Sequence, residues 1–183
     1  MIFKEKTITL KNGKTAILKT PEINDAEKML SYIKTACGET DFLLRYPEEW
    51  DGVSLESEEK WISGLRSSKT ALAIACYIDG KVVGNCEINF CTVKKMSHRA
   101  SVHIAIHKDC WSLGIGSAMF RELIDAARAH TGTEIVELDF LEGNDRARAL
   151  YEKFGFRVVS ERPNAFKLKD GRYISEFYMQ KYL

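Results

Sequence analysis

Residues 109–120 read DCWSLGIGSAMF. Two glycines, Gly114 and Gly116, follow a β-like run (RASVHIAIH, 99–107) and open a helix-like one that extends from about Leu113 to His130. Glycine lets a backbone approach a ligand closely. The first turn of a helix leaves N–H groups without partners, with the positive end of the dipole behind them. Such a bend binds an anion through the main chain alone. It serves equally as a tight strand-to-helix connection, and the loop by itself does not separate the two. Two other phosphate patterns do not match. The P-loop needs GxxxxGK and then Ser or Thr, and no lysine follows Gly116. The dinucleotide fingerprint needs a third glycine where Met119 stands.

Outward from this bend the chain alternates turns and periodic segments. KTITL-KNG-KTAILKT is a hairpin about Asn12-Gly13, and ALAIACYI and KVVGNCEINFCTV form a second about Asp79-Gly80. INDAEKMLSYIKTA predicts a helix with Asn24 as N-cap and Glu27 three residues on; SEEKWISGLRSS predicts another. Between them, GETDFLLRYPEEWDGVS is irregular and aromatic-rich. After the bend, Ile115, Met119, Leu123, Ala126 and Ala127 form the apolar stripe of a helix. TEIVELDFL is a strand with Val136, Leu138 and Phe140 on one face and Glu137 and Asp139 on the other. NDRARALYEKF is a short helix closed by Gly155. FRVVSE and YISEFYMQKYL are final strands. The order β, β, α, α, β, β, β, α, β, α, β, β predicts a mixed sheet in a single α+β domain spanning residues 1–183, not a doubly wound parallel sheet.

Composition bounds the function. The chain has 183 residues, 45% hydrophobic and 29% charged, with 27 basic and 26 acidic residues and a net charge of +1. No basic excess points to nucleic acid, and Lys94, Lys95, Arg146 and Arg148 read as solvated surface. Five cysteines with no CxxC pair argue against zinc and against a disulfide framework. There is no secretory h-region at the N-terminus and no membrane-length apolar run. The expectation is a reduced, cytoplasmic protein without a metal, monomeric or homodimeric, with neither nucleic acid nor membrane as partner.

The stretch from Arg99 to Phe156 resembles the GNAT superfamily of N-acetyltransferases, including its ribosomal-protein-alanine and small-amine acetyltransferase members. WSLGIG at 111–116 matches both glycines of the family signature Gln/Arg-x-x-Gly-x-Gly/Ala, and NDRARALYEKFGF at 144–156 matches N-x-x-A-x-x-L-Y-x-x-x-G-F. The ALAIACYIDGKVVGNCEI hairpin is similar to the family's central hairpin. The resemblance implies a mostly antiparallel sheet of about seven strands flanked by helices, with a splayed central strand pair. It implies acetyl-CoA as co-substrate and direct acetyl transfer to a primary amine, on a small molecule or a peptide N-terminus. Backbone near Ile104, Ala105 and Ile106 is then expected to pair with the pantetheine arm. The amides of Trp111, Ser112, Leu113, Gly114, Ile115 and Gly116 are expected to hold the pyrophosphate, with Asn144 also at the ligand. Trp111 stands where the signature has Gln or Arg and Leu113 where a basic residue is common in the family, so the loop lacks side-chain help. A non-catalytic acyl-CoA sensor and a nucleotide-binding module are the competing readings.

Acetyl transfer to an amine needs a neutral nucleophile, a polarised carbonyl and a proton for the departing thiolate. A backbone N–H near Ile104 or Ala105 meets the second need. Tyr151 stands where the family often places the acid; a phenol of pKa about 10 stays protonated beside a thiol of about 8.5. The same side chain also suits packing beside Leu150 and Phe154. For the base the candidates are Asp139, five residues before Asn144, and Glu87 on the hairpin strand. His103 lies on the central strand, where a lone histidine is usually a satisfied core residue. Phe42, Tyr46 and Trp50, among acids, are the expected acceptor-binding aromatics.

Overall fold

An eight-stranded sheet runs through the protein, one strand more than the resemblance implies; the computed structural model describes residues 1–183. The elements are β1 (Lys6–Thr9), β2 (Thr15–Lys19), α1 (Ala26–Gly38), α2 (Leu55–Ser67), β3 (Ala71–Ile78), β4 (Lys81–Phe90), β5 (Arg99–Ile106), α3 (Ile115–Ala129), β6 (Ile135–Leu141), α4 (Asp145–Lys153), β7 (Arg157–Lys167) and β8 (Tyr173–Tyr182). Strand order is β1-β2-β3-β4-β5-β6-β8-β7. Every neighbouring pair is antiparallel except β5 with β6, the pair joined by the crossover through α3. No helix is long and apolar enough to cross a membrane.

Local chemistry explains most boundaries. Asp79 (φ 50°) and Gly80 (φ 77°) both take left-handed backbone, which gives the tight hairpin between β3 and β4 its twist. Asn144 caps α4 by accepting from the Ala147 amide at 3.2 Å, and Gly155 (φ 86°) ends it. Three boundaries differ from the sequence expectation. Asn24 is not a cap: it lies inside a 3₁₀ turn, Ile23–Asp25, and Asp25 accepts from the Glu22 amide at 3.0 Å. Asp25 is more useful there because it is buried and also accepts from the Tyr77 hydroxyl at 2.8 Å. Ser54, three residues ahead of Ser57, caps α2. β7 continues through Pro163 to Lys167. It tolerates the proline because it is an edge strand and its register with β8 is irregular between Arg162 and Phe166.

The sheet is covered on both faces. Even-numbered residues of the central strands, such as Ile74, Cys86, Ile88 and Val102, point to α3 and α4 and form the main core. Odd-numbered ones, such as Ala75 and Tyr77, point to α1 and α2. The predicted stripe of α3 anchors the first layer, with Ile115, Met119, Leu123 and Ala127 at or below 1% exposure. Each such large aliphatic side chain contributes about 1.5–3 kcal/mol by burial. This packing holds the bend at Gly114 rigidly against the sheet.

The feature that makes room for a ligand is a gap inside the sheet. Register between β5 and β6 exists at Arg99–Ile135, Ala100–Val136 and Ser101–Glu137 and then stops. Both strands continue, to Ile106 and Leu141, without pairing. The splayed pair implied by the resemblance is present.

Candidate active site

The bend at the mouth of this gap is built to leave its amides free. Gly114 caps α3 at φ 95°, a left-handed conformation that favours glycine. No amide from Ser112 to Ser117 donates to any acceptor in the chain; the ladder of α3 begins with Ala118 N–H to the Gly114 carbonyl at 3.0 Å. A Cβ on Gly116 would lie 3.3 Å from Ile106 Cδ1 and 3.3 Å from Leu150 Cδ2, so even a methyl group there requires those side chains to give way by a few tenths of an ångström.

The residues around the bend hold its shape. The Trp111 indole N–H donates to the Ile106 carbonyl at 2.8 Å and closes the end of β5. Ser112 is left-handed (φ 63°) without being glycine, and its hydroxyl accepts from Arg146 Nη1 and Nη2 at 3.1 and 3.2 Å. The Arg146 guanidinium lies 4.8 Å over the Trp111 ring. Lys153 Nζ donates to Ser117 Oγ at 3.4 Å, and the Lys11 amide to the Leu113 carbonyl at 3.0 Å. This corrects two expectations. Arg146 is exposed but is engaged with the loop, whereas Arg148 pairs with Glu152 at 2.9 Å. The loop also does not lack basic side chains; they come from α4 and from the first hairpin, because the fold brings those elements beside it.

The β4–β5 register decides which main-chain groups face the gap. His107 N–H donates to the Val83 carbonyl at 2.9 Å and Cys91 N–H to the Arg99 carbonyl at 3.0 Å, so the odd-numbered residues between them form the hydrogen-bonded pairs with β4. The amide of Ala105 is therefore used by the sheet. Those of Ile104 and Ile106 point at the opening, so only Ile104 of the two expected carbonyl-polarising donors is free.

One cavity of about 890 Å³ joins these parts. Its wall includes Ile104, Ala105, Ile106, Trp111, Ser112, Gly114, Ile115, Gly116 and Asn144 on the bend side. On the opposite side it includes Glu87, His103, Asp139 and Phe42, with Tyr151 between. Three expected residues lie elsewhere. Leu113 packs on the core. Tyr46 fastens its loop to the β7–β8 hairpin, its hydroxyl accepting from the Lys169 amide at 3.1 Å. Trp50 lines a second, smaller cavity. No three His, Cys, Asp or Glu side chains are grouped to hold a metal ion.

The polar groups in and beside the large cavity differ in how they are satisfied. Tyr151 is 6% exposed, its ring against Phe120, Phe140 and Phe156, and its hydroxyl makes no hydrogen bond within the chain. Burial pushes the phenol well above its ordinary range. Glu137 is engaged: Arg99 and the Tyr178 hydroxyl both bind it. Glu87 accepts from Asn89 Nδ2 at 2.7 Å. Asp139, on the same face as Glu137, has no hydrogen bond or ion pair. Partial desolvation raises its carboxyl above the ordinary value, Glu137 adds to the rise, and Arg162 and His103 oppose it. His103 is exposed into the cavity rather than satisfied in the core, because β5 turns its odd-numbered side chains to the face that α1 leaves open.

Comparison with known proteins agrees with this geometry. Residues 39–156 match the model of the acetyltransferase (GNAT) family. The chain belongs to that family. This acetyltransferase is 26% identical over 125 residues to the L-amino acid N-acetyltransferase AaaT of Escherichia coli (strain K12), covering 68% of this chain and 76% of that one. Its fold superposes on a GNAT-family acetyltransferase from Streptococcus pneumoniae with a TM-score of 0.85 at 24% identity, covering 92% of this chain and 99% of the other. It also superposes on yncA, a putative acetyltransferase from Salmonella typhimurium solved with its cofactor acetyl-CoA, with a TM-score of 0.76 at 17% identity, covering 91% and 92%. At these identities the structural likenesses establish the acetyltransferase fold and no more.

The sequence reading missed Arg146 as a loop partner. The signal was there in part, since the arginine lies two residues after the N-cap Asn144 of the matched motif. Its stacking on Trp111 has no local trace.

Proposed function

We propose that this acetyltransferase transfers an acetyl group from acetyl-CoA directly to a primary amine, with both substrates held in the large cavity. The observation that carries the reading is the continuity of that cavity. It runs from six unpaired amides, through a gap between β5 and β6, to an unpaired hydroxyl and an unpaired carboxylate.

The residues present fit coenzyme A. The amides Ser112–Ser117, with Arg146, Lys153 and Lys11 beside them, suit a pyrophosphate. The free edge of β5 at Ile104 and Ile106 suits an extended amide-bearing arm laid along it as an added strand. Acetyl-CoA, when bound, supplies an acetyl group already activated as a thioester. The Ile104 N–H faces the gap and is the donor for its carbonyl oxygen. Asp139, directly or through a water, takes a proton from the acceptor ammonium, so that the amine can attack; Glu87 is the second carboxylate within the cavity. As the new C–N bond forms and the C–S bond breaks, the attacking nitrogen gives up its second proton, through water, to the departing thiolate, while the Tyr151 hydroxyl donates a hydrogen bond to that sulfur. Full proton transfer from a phenol above pKa 10 to a thiolate of about 8.5 is uphill, so Tyr151 acts mainly as a hydrogen-bond donor to the sulfur.

A primary amine as acceptor agrees with the acids on the open face, and AaaT, by its name, acts on L-amino acids. The test is thiol release from acetyl-CoA with purified protein and a panel of L-amino acids, alkyl amines, polyamines, aminoglycosides and short peptides. Release that depends on one acceptor class identifies the substrate. Tight acetyl-CoA binding with no release from any acceptor would replace the reading with a sensor.

A further inference from the structure

A second cavity of about 360 Å³ lies between α1, the connection 45–53 and α2. Its walls are apolar and aromatic: Met29, Ile33, Trp50, Val53 and Trp61. Set into them is one carboxylate, Glu58 on the first turns of α2. Glu58 is only 8% exposed and makes no hydrogen bond or ion pair. A carboxylate so nearly enclosed and without partners is costly; its place in the first turn of α2 favours the negative charge through the helix dipole, but Ser54 already caps the helix and no donor reaches Glu58. The other charged group on the wall, Arg45, is exposed and lies 5.0 Å over the Trp50 ring, so it does not neutralise Glu58.

We propose that this cavity binds an organic cation, an alkylammonium or quaternary ammonium group, with Glu58 as its counter-charge and Trp61 as its aromatic wall, since Arg45 already occupies a face of Trp50. A metal ion does not fit, because one carboxylate among apolar side chains supplies too few oxygen ligands. The cavity shares Ile33 and Asn85 with the large one. At that partition the Tyr32 hydroxyl donates to the Ala105 carbonyl at 2.7 Å and lies 3.0 Å from the Asn85 side-chain amide. The cation has two sources: the far end of a diamine-type acceptor whose other nitrogen reaches the thioester, or a separate small cation. The first source rests on the acetyl-transfer reading above; the site itself does not.

Desolvation pushes the Glu58 carboxyl up to about 7, which agrees with its lack of partners. The polar groups facing it are Arg45 from the connection, Tyr32 from α1, Asn85 from β4 and Ser57 beside it on α2. Cation binding must displace the proton, so affinity should rise about tenfold between pH 6 and pH 8.

The experiment is calorimetric titration of the protein with tetramethylammonium, which cannot be acetylated, at both pH values. The expected result is binding that strengthens with pH and weakens at least tenfold in Glu58→Gln. A wild type that does not bind, or a Glu58→Gln variant that binds equally, overturns the proposal. Acceptor kinetics then separate the two sources. If Glu58→Gln raises the ratio of KM for 1,4-diaminobutane to KM for n-butylamine at least tenfold, the cation is the distal end of the acceptor. If that ratio is unmoved while tetramethylammonium binding is lost, the site takes a separate cation. Absence of acetyl transfer to any amine would refute the functional reading and leave the titration to decide this one.

Discussion

The two ends of the large cavity are made of different material. The bend end is main chain: six amides in sequence, a left-handed Gly114, and tight packing at Gly116. The open end is side chain: Glu87 from β4, His103 from β5, Asp139 from β6, Phe42 from the loop after α1. Main-chain recognition depends on backbone shape and little on residue identity, so it suits a part of the substrate that never changes. Side-chain recognition can be altered one residue at a time without disturbing the sheet, so it suits the part that distinguishes one acceptor from another.

If this contrast is right, a change at the bend should act on acetyl-CoA affinity, and a change at the open end should act on turnover. The largest effect is expected for Gly116→Leu. Its side chain must displace Ile106 and Leu150, and acetyl-CoA affinity should fall at least about 100-fold by calorimetry, with the thermal midpoint lowered by several degrees as the packing readjusts. Unchanged affinity would mean that the pyrophosphate lies elsewhere.

Asp139→Asn comes next. Turnover should drop about 30- to 100-fold while the dissociation constant of acetyl-CoA moves less than twofold. Because its carboxyl is raised above the usual range and must be ionised to act, wild-type turnover should decline as pH falls, beginning above the ordinary carboxylate range; the variant should lose that limb. Should Glu87→Gln show this behaviour and Asp139→Asn not, the two carboxylates exchange roles.

Tyr151→Phe should reduce turnover about tenfold, roughly the value of one hydrogen bond to a charged sulfur, and leave affinity alone. The smallest effect is that of Arg146→Ala. It removes a guanidinium from Ser112 and Trp111, and acetyl-CoA affinity should weaken about fivefold, less at high salt. A loss confined to turnover would place Arg146 on the wrong side of the contrast.

Legibility in the sequence followed the same division. The bend, its glycines and the α3 stripe are contiguous, and their periodicities read directly from residues 99–130. The Asn144–Phe156 motif was equally local, and the structure brings both Asn144 and Tyr151 to the cavity wall. The aromatic loop was not legible. Phe42, Tyr46 and Trp50 lie within nine residues, yet they face three places: the large cavity, the β7–β8 hairpin and the small cavity. An irregular segment has no period from which to tell the direction of a side chain. Glu58 gave no signal either, since one more glutamate in the charged first turn of a helix looks solvent-facing until α1 and the connection close over it.

The residues by themselves determined the order of elements, the mixed sheet and a glycine-bearing bend between strand and helix, because hydrophobic period, turn residues and glycine spacing act over a few neighbours. Only the tertiary structure decided which carboxylate is unpaired, which basic side chains reach the bend and which amides of β5 stay free. Those are properties of groups distant in the chain, and whether a charge finds a partner depends on what the packed sheet and helices bring within hydrogen-bond reach.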